Sequence, residues 1–439
     1  MTEMLTYLPP GKVLDEEADR WVEEEPFEAF AHYRELLGDP FTLYRPGKPP
    51  RVFLSEPDVI KELLLTRDRH LDGCGTSLYG AFIGETALPL LTGEEHRRMR
   101  RLITPSVVGP ALRGRASAIH GIVLDELRRL RGRPEAPLID VTSDIAVQII
   151  TPVLLPFEKD EEIAGLQREL HLALDAVHQA RSLRTAGRKE EAGRWMGRFK
   201  EHLARIDVVL FGSIERYRSA PAAGAPSVLA RLASGEEKLT DQQIRDQLMT
   251  ILIGGSNTVG FAVAMALYWI DRLPEVAERL HAELASLPEN ASALEIAALP
   301  YLGAICDETL RVGSITPTAS ARKVTVPFTA LGYEFPVGTE LIIVIHLAHR
   351  REEAYHDPGS FHPGRFLEKA PTPVEYLPFG TGTRRCPGSA LTELEMRLTV
   401  AEAVRTPGLR LIDADIPFKP VSYGASMSLP STVKVRVED

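Results

Sequence analysis

The sequence predicts a mainly α protein with smaller β-sheet regions. Helical periodicity dominates residues from about 119 to 287, and the most strongly charged helices are expected at 162–180 and 189–217. Because 44% of the 439 residues are hydrophobic, the chain has enough apolar side chains for a large core. Short runs of β-branched and aromatic residues predict strands at 41–45, 51–54, 322–326, 341–345 and 432–437.

Charge and cysteine content exclude several classes of function. The net charge of −10 argues against nucleic acid as a partner. The three cysteines, Cys74, Cys306 and Cys386, are odd in number and far apart, so we expect no disulfide framework and a reducing, cytoplasmic location. Residues 1–10 lack a basic region followed by an apolar run, so no signal peptide or membrane anchor is expected.

The first structured region is predicted to be a small β unit that leads into a helix. The strands at 41–45 and 51–54 are separated by a segment rich in Pro and Gly, which is typical of a turn. Ser55 is suited to cap the helix that follows, and Pro57 is suited to its first turn.

Two segments between residues 72 and 101 have more than one interpretation. From 72 to 89, glycines are mixed with large apolar residues, which is typical either of a mobile lid over an apolar pocket or of an irregular connection. A basic helix is predicted at 92–101, with His96 and Arg100 four residues apart on one face. The pattern alone fits a solvated charged face equally well.

The segment 247–270 imitates a membrane span, because it contains no charged residue. Its centre, Gly254–Thr258, is polar and flexible and would be costly against lipid. We therefore predict a long helix buried through the middle of the protein.

The loop 378–388 is the segment most suggestive of chemistry. Its glycines allow close approach of the backbone to a large flat ligand. Cys386 precedes a predicted helix at 389–396, where the helix dipole and unpaired N–H groups favour a thiolate. The alternative is that Cys386 is an inert, buried cysteine.

This loop resembles the haem-binding signature of the cytochrome P450 superfamily. The matching residues, in order, are Phe379, Gly380, Gly382, Arg384, Cys386 and Gly388. The resemblance implies the cytochrome P450 fold, a single haem-thiolate domain spanning 1–439, and haem b as cofactor. In this interpretation Cys386 is the axial ligand and metal site, Phe379 packs near its sulfur, and Arg384 pairs with a haem propionate.

The resemblance assigns roles to residues elsewhere in the chain. The implied additional propionate partners are His96, Arg100 and Arg322. A second family signature, Glu-x-x-Arg, is matched by Glu308 and Arg311, and its third member by Arg365 within Pro363–Phe366. These three residues are expected to be structural, because two arginines around one carboxylate form a fixed network. His346 and His349 are expected to be hydrogen-bonded structural histidines and not metal ligands.

The predicted central helix resembles the oxygen-binding groove of the family, whose pattern is small-Gly-x-acid-Thr. Gly255 would let the backbone approach the cofactor, and the candidate catalytic residues are Thr258 and Asn257. Thr258 could instead bond back to its own helix. Asn257 departs from the pattern, since an amide cannot accept and release a proton as a carboxylate does. Either Ser256, water or the substrate then completes the proton path, or the enzyme catalyses a reaction that depends less on rapid protonation. Our hypothesis is that Thr258 still serves and that Asn257 orients water.

The function implied is a haem-thiolate monooxygenase that uses dioxygen to hydroxylate or epoxidise an apolar or amphipathic molecule, of terpenoid, fatty acyl or polyketide type, in secondary metabolism. Two alternatives remain open: a peroxygenase or isomerase that needs no external electrons, and a non-catalytic haem sensor or carrier. The family layout implies the pocket residues Leu78, Tyr79, Phe82, Ile315, Thr316, Ala425 and Met427.

Electrons are expected from a separate protein, because the resemblance accounts for nearly the whole chain and leaves no segment for a fused reductase. The expected donor is a ferredoxin or flavodoxin with its reductase. Its landing patch would be formed by Arg97, Arg98, Arg101 and Arg385. For any one of these arginines, a solvated surface charge is an equally good interpretation.

Overall fold

The computed structural model describes residues 8–74, 80–155, 160–185, 187–220, 227–235, 237–423 and 425–438. Helices make up most of the described chain. The α-helices, in order, are α1 (Glu16–Glu24), α2 (Pro26–Leu37), α3 (Pro57–Ile60), α4 (Gly80–Ile83), α5 (Gly93–Ile103), α6 (Gly109–Arg129), α7 (Leu138–Leu154), α8 (Asp160–Thr185), α9 (Lys189–Ser219), α10 (Val228–Ser234), α11 (Asp241–Gly254), α12 (Asn257–Arg272), α13 (Pro274–Ala285), α14 (Ala293–Ala297), α15 (Pro300–Gly313), α16 (Ile345–Ala348), α17 (Arg365–Glu368) and α18 (Ser389–Arg405).

The strands are short. In order they are β1 (Gly11–Val13), β2 (Phe41–Tyr44), β3 (Arg51–Leu54), β4 (Leu71–Gly73), β5 (Ala136–Pro137), β6 (Arg322–Val324), β7 (Phe328–Ala330), β8 (Tyr333–Phe335), β9 (Glu340–Ile343), β10 (Leu409–Ile412), β11 (Val421–Tyr423), β12 (Ser426–Ser428) and β13 (Lys434–Val437).

The largest sheet has the order β1-β2-β3-β9-β6-β4, and it joins the N-terminal strands to strands far along the chain. Strands β3 and β9 are parallel, with Arg51 opposite Glu340, whereas β6 is antiparallel to both of its neighbours. Smaller sheets are formed by β10-β13-β5, β11-β12 and β7-β8. All five predicted strands are present, with ends that shift by up to two residues.

The long central helix expected at 247–270 is interrupted, which corrects the prediction. Helix α11 ends at Gly254, and α12 begins at Asn257 after Ser256 adopts φ −101° and ψ −92°, outside the helical region. The Ser256 hydroxyl donates to the carbonyl of Ile253, three residues back. Because Gly and Ser permit this local departure from helical geometry, the helix changes course at the point where it meets the cavity described below.

Helix α12 runs through the centre of the main hydrophobic core. Eleven of its sixteen residues are buried, and it packs against α7, α15 and α18. A Cβ at Gly260 would lie 2.6 Å from the backbone of Ser143 on α7, so the two helices approach closely at this glycine. By length and composition alone the 241–272 stretch could cross a membrane, and it is the one such stretch in the part of the chain that the structure describes; most of its apolar window lies inside the protein.

Candidate active site

A cavity of about 550 Å³ lies where α12, α18 and the 378–388 loop meet, within the size range of small-molecule sites. Both ends of the helix interruption reach it, as do Cys386 and the start of α18. Most of the remaining lining is apolar. These apolar lining residues include Ile83, Leu88, Ile103, Val107, Ile150, Leu174, Val177, Val259 and Phe261.

The 378–388 loop is shaped by glycines and by its own hydrogen bonds. Gly380 and Gly382 have φ of +66° and +65°, which L side chains rarely adopt. The N–H of Cys386 donates to the carbonyl of Phe379 at 2.9 Å, which closes the loop and leaves the cysteine facing the cavity. The backbone of Phe379 therefore lies next to that of Cys386.

Burial raises the pKa of the Cys386 thiol, against the expectation that its position near a helix start would favour the thiolate. The N–H of Gly388 and the guanidiniums of Arg100 and Arg385 act in the opposite direction but do not outweigh desolvation. A bound metal ion would deprotonate the thiol outright.

Cys74 is the other cysteine that lines the cavity within the described residues. Burial and the nearby carboxylate of Glu340 raise its pKa to about 12. Cys306 is completely buried and lies elsewhere, with a pKa that desolvation also raises to about 12. Of the three, Cys386 alone combines a position on the cavity with a backbone N–H directed at its sulfur.

The four predicted propionate partners are brought together beside this cavity. His96 and Arg100 lie on α5, and the electrostatic field of Arg384 acts on both. Burial, followed by the charges of Arg384 and Arg100, lowers the pKa of His96 to about 4. Burial and Arg384 lower the pKa of Arg322 to about 10. His96 is therefore neutral near pH 7, and the three arginines carry the charge.

This cluster fits the carboxylate edge of haem b. Among the described residues, the ring of His96 and the guanidinium of Arg100 make no hydrogen bond, although His96 is only 4% exposed. Three guanidiniums face a single directly bonded carboxylate, that of Asp72 on Arg384, which leaves a surplus of two positive charges. Haem b carries two propionates. Together with a thiol on an apolar cavity, this donor set is suited to the group.

Gly254, Gly255, Asn257 and Thr258 all line the cavity at the helix interruption. The Thr258 hydroxyl donates to the carbonyl of Gly254 at 2.6 Å, so the bond back to its own helix is present. The same oxygen keeps its lone pairs available to a donor in the cavity. Packing also requires glycine at position 255, since a Cβ there would lie 2.8 Å from the Ile150 side chain on α7.

Glu395 is a cavity residue that the sequence analysis missed. It is 2% exposed, and burial raises the pKa of its carboxyl well above the ordinary value. It makes no hydrogen bond with any described residue. The signal was available, because Glu395 stands four residues after Leu391, on the apolar face of α18.

The predicted pocket residues divide into three groups. Thr316 and Ala425 line the cavity, whereas Leu78 and Tyr79 lie outside the described residues. The remaining three are buried but do not line the cavity. These are Phe82, Ile315 and Met427.

Local geometry explains these displacements. The ring of Phe82 packs on Phe199, with centroids 4.2 Å apart, while its neighbour Ile83 reaches the cavity. Met427 and Ile315 are joined by a backbone hydrogen bond of 2.7 Å, and their neighbours Ser426 and Thr316 reach the cavity instead. Side chains alternate between the two faces along a strand, so a shift of one residue exchanges the faces.

Two polar groups on the cavity wall were also missed. The ring of Tyr423 stacks on His178 at 4.7 Å and meets Phe261 edge to face. At another part of the wall, Arg51 Nε donates to Glu340 at 2.7 Å. The terminal nitrogens of Arg51 make no hydrogen bond with a described residue, so they are available to an anionic ligand.

The Glu308, Arg311 and Arg365 side chains form a buried network. Arg311 pairs with both oxygens of Glu308 at 2.7 and 2.8 Å, and Arg365 Nε donates to Glu308 Oε1 at 3.1 Å. Arg311 also donates to the carbonyls of His349, Pro358 and Ser360. Because its donors reach three backbone segments, this network fixes the chain that leads to the 378–388 loop.

Known proteins with this architecture are numerous. The chain is 30% identical to cytochrome P450 135A1 of Mycobacterium tuberculosis over 414 residues, which cover 89% of this chain and 86% of that protein. It is 24% identical to abscisic acid 8′-hydroxylase 1 of Arabidopsis thaliana, over 90% of this chain and 84% of that protein. Its fold matches retinoic acid-bound cyanobacterial CYP120A1 with a TM-score of 0.84 at 19% identity, covering 98% and 99% of the two chains.

The sequence profile of the cytochrome P450 family matches residues 17–419, a span that includes the 378–388 loop, both central helices and most of the cavity lining. Members of this family bind haem b and act as monooxygenases. The resemblance, the predicted fold and the predicted cofactor are confirmed, and this chain belongs to the cytochrome P450 family.

Proposed function

We propose that residues 1–439 form one haem-thiolate monooxygenase unit in which the sulfur of Cys386 is the axial ligand of the haem iron. The observation that carries this proposal is the position of Cys386 on the cavity, near a cluster of three arginines and one neutral histidine. Haem held by a thiolate supplies dioxygen activation, since the sulfur donates electron density that favours O–O cleavage. The neutral His96 would donate a hydrogen bond to a propionate, and Arg100, Arg322 and Arg384 would pair with the propionates by charge.

The chain's own residues would supply the proton. Burial raises the pKa of the Glu395 carboxyl well above its ordinary value, which favours the neutral form that can donate a proton. Thr258 can accept a hydrogen bond from a water molecule in the cavity, since its own hydrogen is directed to Gly254. Asn257 can orient that water but cannot replace an acid. The proton route therefore begins at Glu395 and passes through water held by Thr258.

The proposed substrate is an amphipathic organic molecule, terpenoid, fatty acyl or polyketide-like, that is hydroxylated or epoxidised in secondary metabolism. The apolar lining provides most of its contact surface. Arg51 provides a positive group at the wall, which favours an acid. A relative, abscisic acid 8′-hydroxylase 1, is by its name a hydroxylase of an acid. The protein is proposed to work in the cytoplasm with electrons from a ferredoxin or flavodoxin and its reductase.

The test of the iron ligand compares two cysteines that share the cavity. Wild-type protein and the Cys386→Ala and Cys74→Ala variants are reconstituted with haem, reduced without oxygen and exposed to carbon monoxide. The wild type and Cys74→Ala should both give the red-shifted ferrous–CO band of thiolate ligation, and Cys386→Ala should not. An unaltered band in Cys386→Ala, or a protein that takes up no haem, would overturn the proposal.

Asn257 also favours a second activity, peroxide-dependent oxidation without external electrons. Turnover with a reductant and dioxygen, against turnover with hydrogen peroxide alone, separates the two. Product formation with stoichiometric dioxygen uptake supports the monooxygenase. Product formation with peroxide alone, and none with reductant, supports the peroxygenase.

A further inference from the structure

Asp72, at the centre of β4, is bonded to three groups from different parts of the chain. Its Oδ1 accepts from Arg384 Nη2 at 2.6 Å and from the N–H of Gly73 at 2.7 Å, and its Oδ2 accepts from the N–H of Gly93 at 2.7 Å. Arg384 Nη1 donates separately to the carbonyl of Leu91 at 2.8 Å. Both terminal nitrogens of Arg384 are therefore fixed by the protein.

Gly73 makes the space that this arrangement requires. A Cβ at Gly73 would lie 2.7 Å from Cζ, Nη1 and Nη2 of Arg384, closer than real contacts allow. Its backbone conformation is ordinary for a strand, since no positive φ occurs there. The glycine is thus explained by the guanidinium that lies against it and not by the turn of the chain.

The contacts of Asp72 reach every element that carries a predicted propionate partner. Strand β4 pairs with β6, with Gly73 opposite Arg322. Gly93 is the first residue of α5, the helix that carries His96 and Arg100, and a carboxylate at this position satisfies an unpaired N–H at the positive end of the helix. Arg384 belongs to the 378–388 loop.

We infer that Asp72 is a positioning residue, which together with Gly73 holds Arg384 and the start of α5 in the arrangement that receives the haem propionates. The inference rests on the proposed function. A flexible arginine loses side-chain freedom when it binds an anion, and a guanidinium already fixed by two hydrogen bonds loses less. The Nε–H and the second hydrogen of each terminal nitrogen remain for the cofactor.

The test is a double-mutant cycle read as the rate at which haem passes to an excess of an apo-haem acceptor protein. Asp72→Asn removes one charge-assisted bond and one backbone bond, so haem loss should accelerate about tenfold. In an Arg384→Gln background the same change should accelerate haem loss clearly less than tenfold, because only the hydrogen bond to the start of α5 is then left to lose. Additive effects in the two backgrounds would overturn the inference.

Asp68→Asn is the matched control. Asp68 also contacts the loop, through the Thr383 hydroxyl at 3.1 Å, and its charge also acts on Arg322, but it makes no hydrogen bond to an arginine among the described residues. Both Asp→Asn variants remove one negative charge, so both should raise the reduction potential. Only Asp72→Asn should accelerate haem loss, and an equal acceleration in Asp68→Asn would show that charge alone is responsible.

Gly73→Ala is a second test of the inference, to be used if the Asp72→Asn variant does not fold. This variant changes no charge, yet it displaces the guanidinium, so it should accelerate haem loss and lower the reduction potential. Unchanged values in Gly73→Ala protein that unfolds at the wild-type temperature would contradict the inference. A wild type without thiolate-bound haem would instead refute the proposed function itself, which the ferrous–CO band reveals before any rate is measured.

Discussion

Asn257 and Glu395 together define the proton chemistry that this chain can support. The family pattern leads one to expect an acid at 257, but the amide there cannot transfer a proton. Among the described residues that line the cavity, the carboxyls are Glu340, which is paired with Arg51, and Glu395, which makes no hydrogen bond and whose pKa burial raises. The proposed proton route therefore starts from a residue of α18 and not from α12.

Replacing Glu395 with Gln should lower the amount of product formed per electron consumed. A Gln of nearly equal size keeps the packing but carries no transferable proton, so we expect about a tenfold loss, below the full value of a general acid because water can substitute in part. Glu393→Gln is the control, since Glu393 lies on the same helix with a raised pKa but does not line the cavity. If wild type and Glu395→Gln form the same amount of product per electron consumed, Glu395 is not part of the proton route.

Arg51 and Glu340 give a pair of substitutions with opposite expected effects on ligand binding. Arg51→Gln removes the positive group, so the Kd of fatty or isoprenoid acids should rise about tenfold while that of their methyl esters stays unchanged. Glu340→Gln removes the competing carboxylate and should tighten binding of the same acids. Titrations followed by the shift of the haem absorption band measure both. Parallel changes for acids and esters would indicate a general effect on the pocket.

Residue identities in the site were largely predictable, but the direction of each side chain was not. The 378–388 loop and the four proposed propionate partners lie in local patterns that the sequence shows, and the structure brings these four side chains together. Phe82 and Met427 were each one residue away from a lining position. A face in a strand or short helix is decided by long-range packing, here by Phe199 for Phe82.

At the scale of elements, His349 connects the buried arginine network to the 378–388 loop. Its Nε2 accepts from the N–H of Leu377 at 2.8 Å, which fixes Nδ1 as the donor to the carbonyl of Arg311. Burial and the charge of Arg311 lower its pKa to about 3. Protonation would place a second hydrogen against the Leu377 N–H and break this link.

The pH dependence of stability follows from that lowered pKa. The neutral histidine contributes fully above the unfolded-state value of about 6.5, and the contribution is lost as pH falls from there toward 3, by about 1.4 kcal/mol per pH unit. His96 and His346 have lowered pKa values and act in the same direction. Acid should therefore unfold the protein more readily than its surface charges alone would suggest.

Substitution isolates the contribution of His349 from the buried carboxyls, whose raised pKa values act in the opposite direction. His349→Gln keeps one donor and one acceptor but loses the packing of the buried ring, so the variant should be less stable than wild type at pH 7. Because Gln does not titrate, the difference in stability should shrink as pH falls below 6.5. Chemical unfolding between pH 4 and 7 measures this difference. His281 is exposed, so His281→Gln is the control and should change neither the stability at pH 7 nor its dependence on pH. A pH-independent difference would mean that His349 has the same pKa in the folded and unfolded states.

Element boundaries show what local pattern could and could not supply. Helix α9 and strand β3 begin and end within two residues of their predicted positions, because each has a strong periodic signal and clear ends. The interruption at Gly254–Ser256 was missed, since glycine and serine are tolerated in helices and periodicity continues on either side. The pairing of β3 with β9 joins residues 289 apart, and no local pattern encodes it.

At the scale of the whole molecule, the net charge of −10 hides a positive surface near Cys386. Helix α5 places Arg100 beside Cys386 and exposes Arg97 and Arg101, whose side chains are 59% and 66% accessible. Both exposed arginines share one partner, Glu94. The patch is therefore less positive than its four arginines suggest, and Glu94 limits its attraction for an acidic partner.

Electron transfer from a ferredoxin or flavodoxin should respond to this patch in both directions. Arg101→Glu should slow reduction at low salt and reduce its salt dependence, whereas Glu94→Gln should accelerate it by freeing two guanidiniums. Stopped-flow reduction under carbon monoxide at several ionic strengths measures both rates. Arg128→Glu and Asp125→Gln are the controls, because Arg128 and Asp125 form an exposed ion pair on a different helix, α6. Since the Debye length is about 10 Å at 0.1 M salt, the effects of a true docking patch must fade above that concentration. Equal responses at the α6 pair, or rates that ignore salt, would place the electron donor elsewhere on the surface.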